Sequence, residues 1–189
     1  MSQVSAQFEL ERQHSRRLRE GQDYLLRPAR LDDGAGIWNL VKSGGVLDLN
    51  SSYAYLMLCD RFAETTVVAA GDGEILGFVG AFCPPAQSDV VFVWQIGVSP
   101  KMRGQGLGVT LLNELVEQEA CEDVSFLETT ITPSNEASKR LFQKFARQQQ
   151  ADMNVSVGYS AKHFPDGHEA EHLFRIGPLG SHRGPRAQA

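Results

Sequence analysis

The spacing of apolar residues changes several times along the chain, and each change marks a predicted element. "YLLRPARL" (24–31) reads as a first strand. In the following "DDGAGIWNLVKSG", Ile37, Leu40 and Val41 recur at helical spacing; Asp32 or Asp33 supplies an N-cap, and Gly44 and Gly45 a stop. The connector "VLDLN" leads to a second helix, "SYAYLMLCDRF", capped by Ser51 or Ser52. The period then shortens. "TTVVAAG" (65–71) and "EILGFVGAFCPP" (74–85) flank a turn from Asp72 to Glu74, an antiparallel hairpin signal, and Pro84 and Pro85 end the second strand. "VVFVWQIGV" (90–98) is apolar on both faces, which predicts a central fourth strand.

A glycine-rich turn follows, then a helix from Leu107 to about Ala120 with Leu107, Leu111, Leu112, Leu115 and Val116 as its apolar stripe. "SFLETTIT" (125–132) is a fifth strand. "PSNEASKRLFQKFARQ" is a helix capped near Ser134 or Asn135, with Leu141, Phe142 and Phe145 inward. "MNVSVGY" and "EHLFRIGPL" are two late strands. This order predicts one mixed α/β domain over residues 23–179, a largely antiparallel sheet with helices on both faces. Residues 1–22 read as a solvated, flexible extension, part of it a candidate helix, and 180–189 as a flexible tail.

Composition narrows the function. A net charge of -5 argues against a nucleic-acid partner. No apolar stretch approaches the roughly 18 residues of a membrane helix, so no membrane partner is expected. The N-terminus lacks a charged head followed by an apolar run. Cys59, Cys83 and Cys121 are widely spaced in apolar surroundings, which reads as reduced thiols in a cytoplasmic protein.

The turn "RGQGLG" carries the first chemical signal. A strand, a glycine turn and a helix start form an anion site: the first helical N–H groups lack partners, the helix dipole adds partial positive charge, and Arg103 adds a full one. The spacing Gly104-x-Gly106-x-Gly108 is neither GxxxxGK[ST] nor GxGxxG, which removes nucleotide triphosphatases and dinucleotide folds. Near the C-terminus "HEAEH" (168–172) matches the zinc-protease pattern H-E-x-x-H. That pattern works on a helix, and here Gly167 and a strand-like run flank it, so no metal site is expected.

"RGQGLG" after "VWQIGVSP", together with "NEASKRLFQKF", resembles the GNAT superfamily of acetyl-CoA-dependent N-acetyltransferases. Arg103, Gly106 and Gly108 match its [QR]-x-x-G-x-[GA] signature. The resemblance implies a sheet splayed between strands 4 and 5, with acetyl-CoA as cosubstrate in the V between them. It implies that Arg103, Gly104, Gln105, Gly106, Leu107, Gly108 and Val109 present N–H groups to the CoA pyrophosphate. Ile96 and Val98 would pair with the pantetheine arm, an N–H near Gly97 or Val98 would polarise the thioester carbonyl, and Asn135 would contact the arm. Many members carry a tyrosine that protonates the leaving thiolate. Phe142 stands at that position here, which leaves Tyr159 or water for the task.

The chain also resembles a narrower family, the L-2,4-diaminobutyrate acetyltransferases of ectoine biosynthesis, most distinctively in "LDLNSSYAYLMLC" and "GHEAEHLFRI". That resemblance implies acetyl transfer from acetyl-CoA to the 4-amino group of diaminobutyrate by direct attack in a ternary complex, and a homodimer formed through the late strands. A dicationic substrate calls for acids, and Asp48, Glu169 and Glu171 lie in the two stretches named. Asp48 and Glu171, with Trp94 as a wall sharing a face with Ile96 and Val98, are the residues expected to orient and activate it. The base is Glu171, Asp48 or a water held by Glu128, and Arg27 or Arg30 reaches the carboxylate. The rival readings are an acetyltransferase for another small amine or polyamine, and a non-catalytic acyl-CoA-binding module.

Overall fold

The computed structural model describes residues 15–17, 23–45, 47–165 and 167–180. Most of the expected N-terminal extension and the tail from 181 lie outside the described residues. Strands β1 (Ser15–Arg17), β2 (Asp23–Pro28), β3 (Thr66–Gly71), β4 (Glu74–Phe82), β5 (Val90–Val98), β6 (Phe126–Ile131), β7 (Asp152–Tyr159) and β8 (Glu171–Gly177) form one sheet in the order β1-β2-β3-β4-β5-β6-β8-β7. Every neighbouring pair is antiparallel except β5 and β6. Strand β1 is an addition to the expected elements; it pairs with the otherwise open edge of β2.

Among the described residues four α-helices cover the sheet: α1 (Asp33–Gly44), α2 (Ser52–Arg61), α3 (Leu107–Val116) and α4 (Glu136–Gln148). Alternation along the strands sorts their side chains into two cores. Val67, Ala69 and Val79 face Leu111, Leu112, Leu115, Phe142 and Phe145 of α3 and α4. Val68 and Phe78 face Ile37, Leu40, Val41, Tyr55 and Leu58 of α1 and α2. Helices on both faces are therefore a direct result of strand periodicity. Helix α3 ends at Val116, short of the expected Ala120. Gln118 is extended there, and a 3-10 turn over Glu119–Cys121 buries Cys121 before the chain enters β6.

The feature that positions the site is a divergence. β5 pairs with β6 only over 90–93, opposite 126–129. Beyond that point β5 continues along β4 as far as Val98 opposite Gly77, while β6 continues along β8 as far as Ile131 opposite His172. At the fork, Ala81 pairs with Val93 and Gly80 with Gln95, which leaves Trp94 as a bulge. A bulge bends its strand and sharpens the twist, and it resets the alternation of side chains.

Candidate active site

The fork is a cleft of about 650 Å³, bordered by Trp94, Gln95 and Ile96 of β5, by residues 129–132 at the end of β6, and by Phe142 of α4. A second cavity of about 280 Å³ continues along β5 past Ile96, Gly97 and Val98 to Gly44 at the end of α1 and to Arg103. Leu47, Ile96, Asn135, Ala137 and Ser138 border both, so the two spaces form one path. Along it the backbone of 94–98 has no strand on its β6 side. Unpaired backbone groups there are sites for an extended, amide-bearing ligand.

At the far end, Gly104 (φ 76°) and Gly106 (φ 87°) hold left-handed conformations, and a Cβ on either would meet no atom within 4 Å. Gly106 caps α3, whose first helical bond runs from Thr110 N–H to the Gly106 carbonyl. The N–H groups of Leu107, Gly108 and Val109 consequently have no acceptor within the helix. Arg103 donates to the carbonyl of Gly44 at 3.1 Å, so its guanidinium ties the end of α1 to the rim of the turn. Gln105 folds back to the Lys101 carbonyl. Gly108 has a different reason to be glycine: a Cβ there would lie 3.0 Å from Leu141, so it permits α3 and α4 to pack. Leu107 and Val109 are buried in the core and offer the turn only their backbone. Asn135 caps α4 by accepting from Ser138 N–H at 3.0 Å, which leaves its amide NH₂ on the border of both cavities.

The acceptor side of the cleft is acidic. Glu171 is half-buried, and the Thr130 hydroxyl donates to its Oε2. These two are diagonal neighbours across β6 and β8, since Thr130 pairs with Leu173. Glu169 accepts from the hydroxyl and the N–H of Ser134. Asp48 is 95% exposed, and its carboxylate lies 4.0 Å from Nε2 of His168. His168 stacks on Phe164, and its Nδ1 is 2.6 Å from the carbonyl of Glu169. A carbonyl only accepts, so that Nδ1 carries the hydrogen and, in the neutral ring, Nε2 presents a lone pair to the cleft.

The model of the acetyltransferase (GNAT) family matches residues 31–146. The chain belongs to the GNAT acetyltransferase family. It is 54% identical over 150 residues to the L-2,4-diaminobutyric acid acetyltransferase of Marinococcus halophilus, covering 79% of this chain and 87% of that protein. It is 52% identical over 158 residues to the enzyme of the same name from Shouchella clausii, covering 83% and 88%. The solved structure of the diaminobutyrate acetyltransferase EctA from Paenibacillus lautus, in complex with its substrate L-2,4-diaminobutyric acid and coenzyme A, superposes with a TM-score of 0.80 at 44% identity, over 84% of this chain and 96% of that one.

In this GNAT chain several expected residues stand elsewhere. Trp94 does not share a face with Ile96 and Val98. The bulge turns its ring toward Tyr55 of α2, centroids 6.4 Å apart, while Ile96 and Val98 pack on the α3–α4 side. Glu128 does not border the cleft; it is buried and paired with Arg175 directly opposite on β8, one strand repeat (about 7 Å) below Thr130. Arg27 forms a two-pronged bond to Asp33 at 2.6 and 2.8 Å, and Asp33 also accepts from Arg30 N–H, so this group fastens β2 to α1. Burial pushes the Asp33 carboxyl up, but its bonds to Arg27 and Arg30 outweigh this and hold it below its ordinary value. Tyr159 lies on β7 against Phe164 and does not border the cleft.

In "HEAEH", His168 to Ala170 are loop and Glu171 and His172 open β8, and among the described residues no group of three or more His, Cys, Asp or Glu side chains can hold a metal ion. None of the three thiols borders the cleft. Burial, aided by the Asp33 charge, pushes Cys59 up to about 12, and burial also raises Cys83. Thr130, His168 and Gln95 border the cleft and are not among the acceptor residues that sequence reasoning selects. Strand alternation in "SFLETTIT" is the signal that points to Thr130. His168 stands out in the sequence only as half of a metal motif.

Proposed function

We propose that this protein transfers the acetyl group of acetyl-CoA to the 4-amino group of L-2,4-diaminobutyrate, the step that supplies the precursor of ectoine. The observation that carries the reading is the acidic cleft. Asp48, Glu169 and Glu171 converge on the open end of a fork whose other end is an anion turn. Diaminobutyrate presents two ammonium groups and one carboxylate, so an acidic cleft fits its cationic end. The relatives from Marinococcus halophilus and Shouchella clausii carry that substrate in their names.

Bound acetyl-CoA supplies an activated acetyl thioester. The free N–H groups at the start of α3 receive its pyrophosphate, and the open edge of β5 at Ile96, Gly97 and Val98 receives its amides and the thioester carbonyl. Asn135 contacts the same arm from α4. Asp48 and Glu171 hold the amino acid by its ammonium groups, and Trp94 walls the cleft. Glu171 takes the proton from the 4-ammonium: Thr130 occupies Oε2, which leaves Oε1 for the amine. The freed lone pair attacks directly. As the carbonyl–sulfur bond breaks, a water carries the second proton of the amine nitrogen to the departing thiolate, because Phe142 has none to give. Raised thiol pKa values, and thiols remote from the cleft, disfavour an acyl-cysteine route.

Free thiols such as these persist in the cytoplasm, which supports a reaction located there. A second copy of the chain docks on β7, the sheet edge, where Val155, Val157 and Tyr159 are exposed. Sedimentation tests that point: a dimer is expected, and a monomer at all concentrations contradicts it. For the activity, the purified protein is incubated with acetyl-CoA and diaminobutyrate while free thiol and product are followed by mass and NMR. One acetyl on N4 per thiol released is expected. Tight CoA binding without product from any amine would instead identify a non-catalytic module.

A further inference from the structure

The loop between α1 and α2 carries Asp48 over the cleft, yet among the described residues no backbone–backbone hydrogen bond involves Leu47, Asp48, Leu49 or Asn50. Something else must hold it, because a carboxylate that is 95% exposed contributes little anchorage of its own. Leu47 packs on the α1–α2 core, and Asn50 Nδ2 lies 3.4 Å from the Asp48 carbonyl; the nearer donor to that carbonyl comes from β5 and is Gln95. Its Nε2 donates to the Asp48 carbonyl at 3.0 Å. Its Oε1 accepts from the hydroxyl of Tyr55 at 3.1 Å. Tyr55 is fully buried, edge-on to Phe78, and its hydroxyl oxygen also lies 3.4 Å from Asn50 N–H.

These bonds orient one another. Asn50 N–H only donates, so the Tyr55 oxygen accepts from it and its hydrogen points to Gln95. Gln95 must then turn its oxygen to Tyr55 and its NH₂ to the carbonyl of Asp48. The bulge makes this possible. Val93 and Ile96 pack on the α3–α4 side, so the two residues between them, Trp94 and Gln95, both face Tyr55.

We propose that Gln95 is a positioning residue for the amino-acid substrate: with its amide set by Tyr55, it pins the Asp48 carbonyl and thereby holds the Asp48 carboxylate beside His168 on the border of the cleft. This rests on the reading of Asp48 as a substrate-binding acid. The alternative, direct contact between Gln95 and substrate, predicts a raised KM in Gln95→Leu with exchange at the Asn50 amide unchanged.

The test is a double-mutant cycle on Gln95→Leu and Tyr55→Phe, with kinetics for both substrates and hydrogen exchange at the Asn50 amide. Tyr55→Phe keeps the aromatic packing and is the safeguard if Gln95→Leu folds poorly. The expected result for Gln95→Leu is a rise of about tenfold in KM for diaminobutyrate, the size of one good hydrogen bond, with kcat within about threefold and KM for acetyl-CoA unchanged. Tyr55→Phe moves KM in the same direction, and the double variant is no worse than Gln95→Leu alone. Exchange at the Asn50 N–H, the one amide of this loop with an acceptor among the described residues, quickens in all three variants. Multiplying effects, an unmoved KM in Tyr55→Phe, or equal loss of acetyl-CoA affinity would overturn the proposal. Hydrogen exchange needs no turnover. If wild-type protein fails to acetylate diaminobutyrate, the proposed function falls while exchange still decides whether the brace exists.

Discussion

Two glycines of the turn separate by a pair of alanine substitutions. Gly106 sits at φ 87° with open space where a methyl would stand, so Gly106→Ala meets no clash but is forced into a left-handed conformation. That costs about 1–2 kcal/mol, or roughly 2–8 °C in Tm for a chain of this size. Relief of the strain rotates the peptide planes that aim the α3 N–H groups. Each hydrogen bond to a charged group is worth about 1.5–3 kcal/mol, so loss of one weakens CoA binding by at least about tenfold. Gly108→Ala keeps an ordinary helical backbone and gains about 1 kcal/mol of helix propensity, but its methyl meets Leu141 at 3.0 Å and offsets the gain by about 1–3 kcal/mol of overpacking. Its Tm falls slightly and its CoA affinity holds. Calorimetric titration with CoA and with pantetheine reads the difference. Gly106→Ala should lose affinity for CoA and not for pantetheine, which lacks the pyrophosphate. Equal losses for both ligands, or a larger loss in Gly108→Ala, would refute the assignment of the turn.

Glu171→Gln should lower kcat at least about a hundredfold, the usual worth of a general base, with CoA affinity intact; Asp48→Asn should mainly raise KM for the amino acid by about tenfold, and initial rates over both substrates separate the two. Cys59→Ala, Cys83→Ala and Cys121→Ala should each retain kcat within about twofold at 25 °C, and a kinetically competent acetyl-cysteine seen by rapid-quench mass spectrometry would contradict direct attack. Arg27→Met should destabilise the fold by about 2–3 kcal/mol at pH 7, because it strips a largely buried carboxylate of its partner. The folded pKa of Asp33 is depressed, so this stabilisation is complete above the unfolded value of about 3.9 and fades as pH falls through the folded one. Urea titrations should therefore show the wild-type advantage shrinking below about pH 4, and a gap independent of pH would disprove the linkage.

Much of the fold is legible in the chain because it follows from period. The hairpin closed by Asp72 and Gly73, the two-faced β5, and the stripes of α3 and α4 are local patterns, and the structure keeps them. The bulge at Trp94 is not legible. Nothing in "VVFVWQIGV", apolar on both faces, marks an interruption, and only the pairing of both Val93 and Gln95 with consecutive residues of β4 shows the extra residue. That single displacement moves Trp94 to the other face. The acceptor side depends on the β6–β8 register, which joins residues some forty positions apart. Register puts Arg175 opposite Glu128 and Thr130 beside Glu171, making the first carboxylate a structural partner and the second a cleft group. Arg27 departs from expectation for a similar reason: its partner Asp33 looks like a cap in the sequence, and the fold uses it as an anchor.

The central claim is that the cleft is built for the four-carbon diamino acid, and the most direct measurement is the ratio of kcat/KM for L-2,4-diaminobutyrate over L-ornithine, which is one methylene longer. A site shaped to the shorter chain discriminates by about 10–200-fold. A ratio of at least about ten in favour of diaminobutyrate is expected, with acetyl found on N4. A ratio near one, or one favouring ornithine, would contradict it.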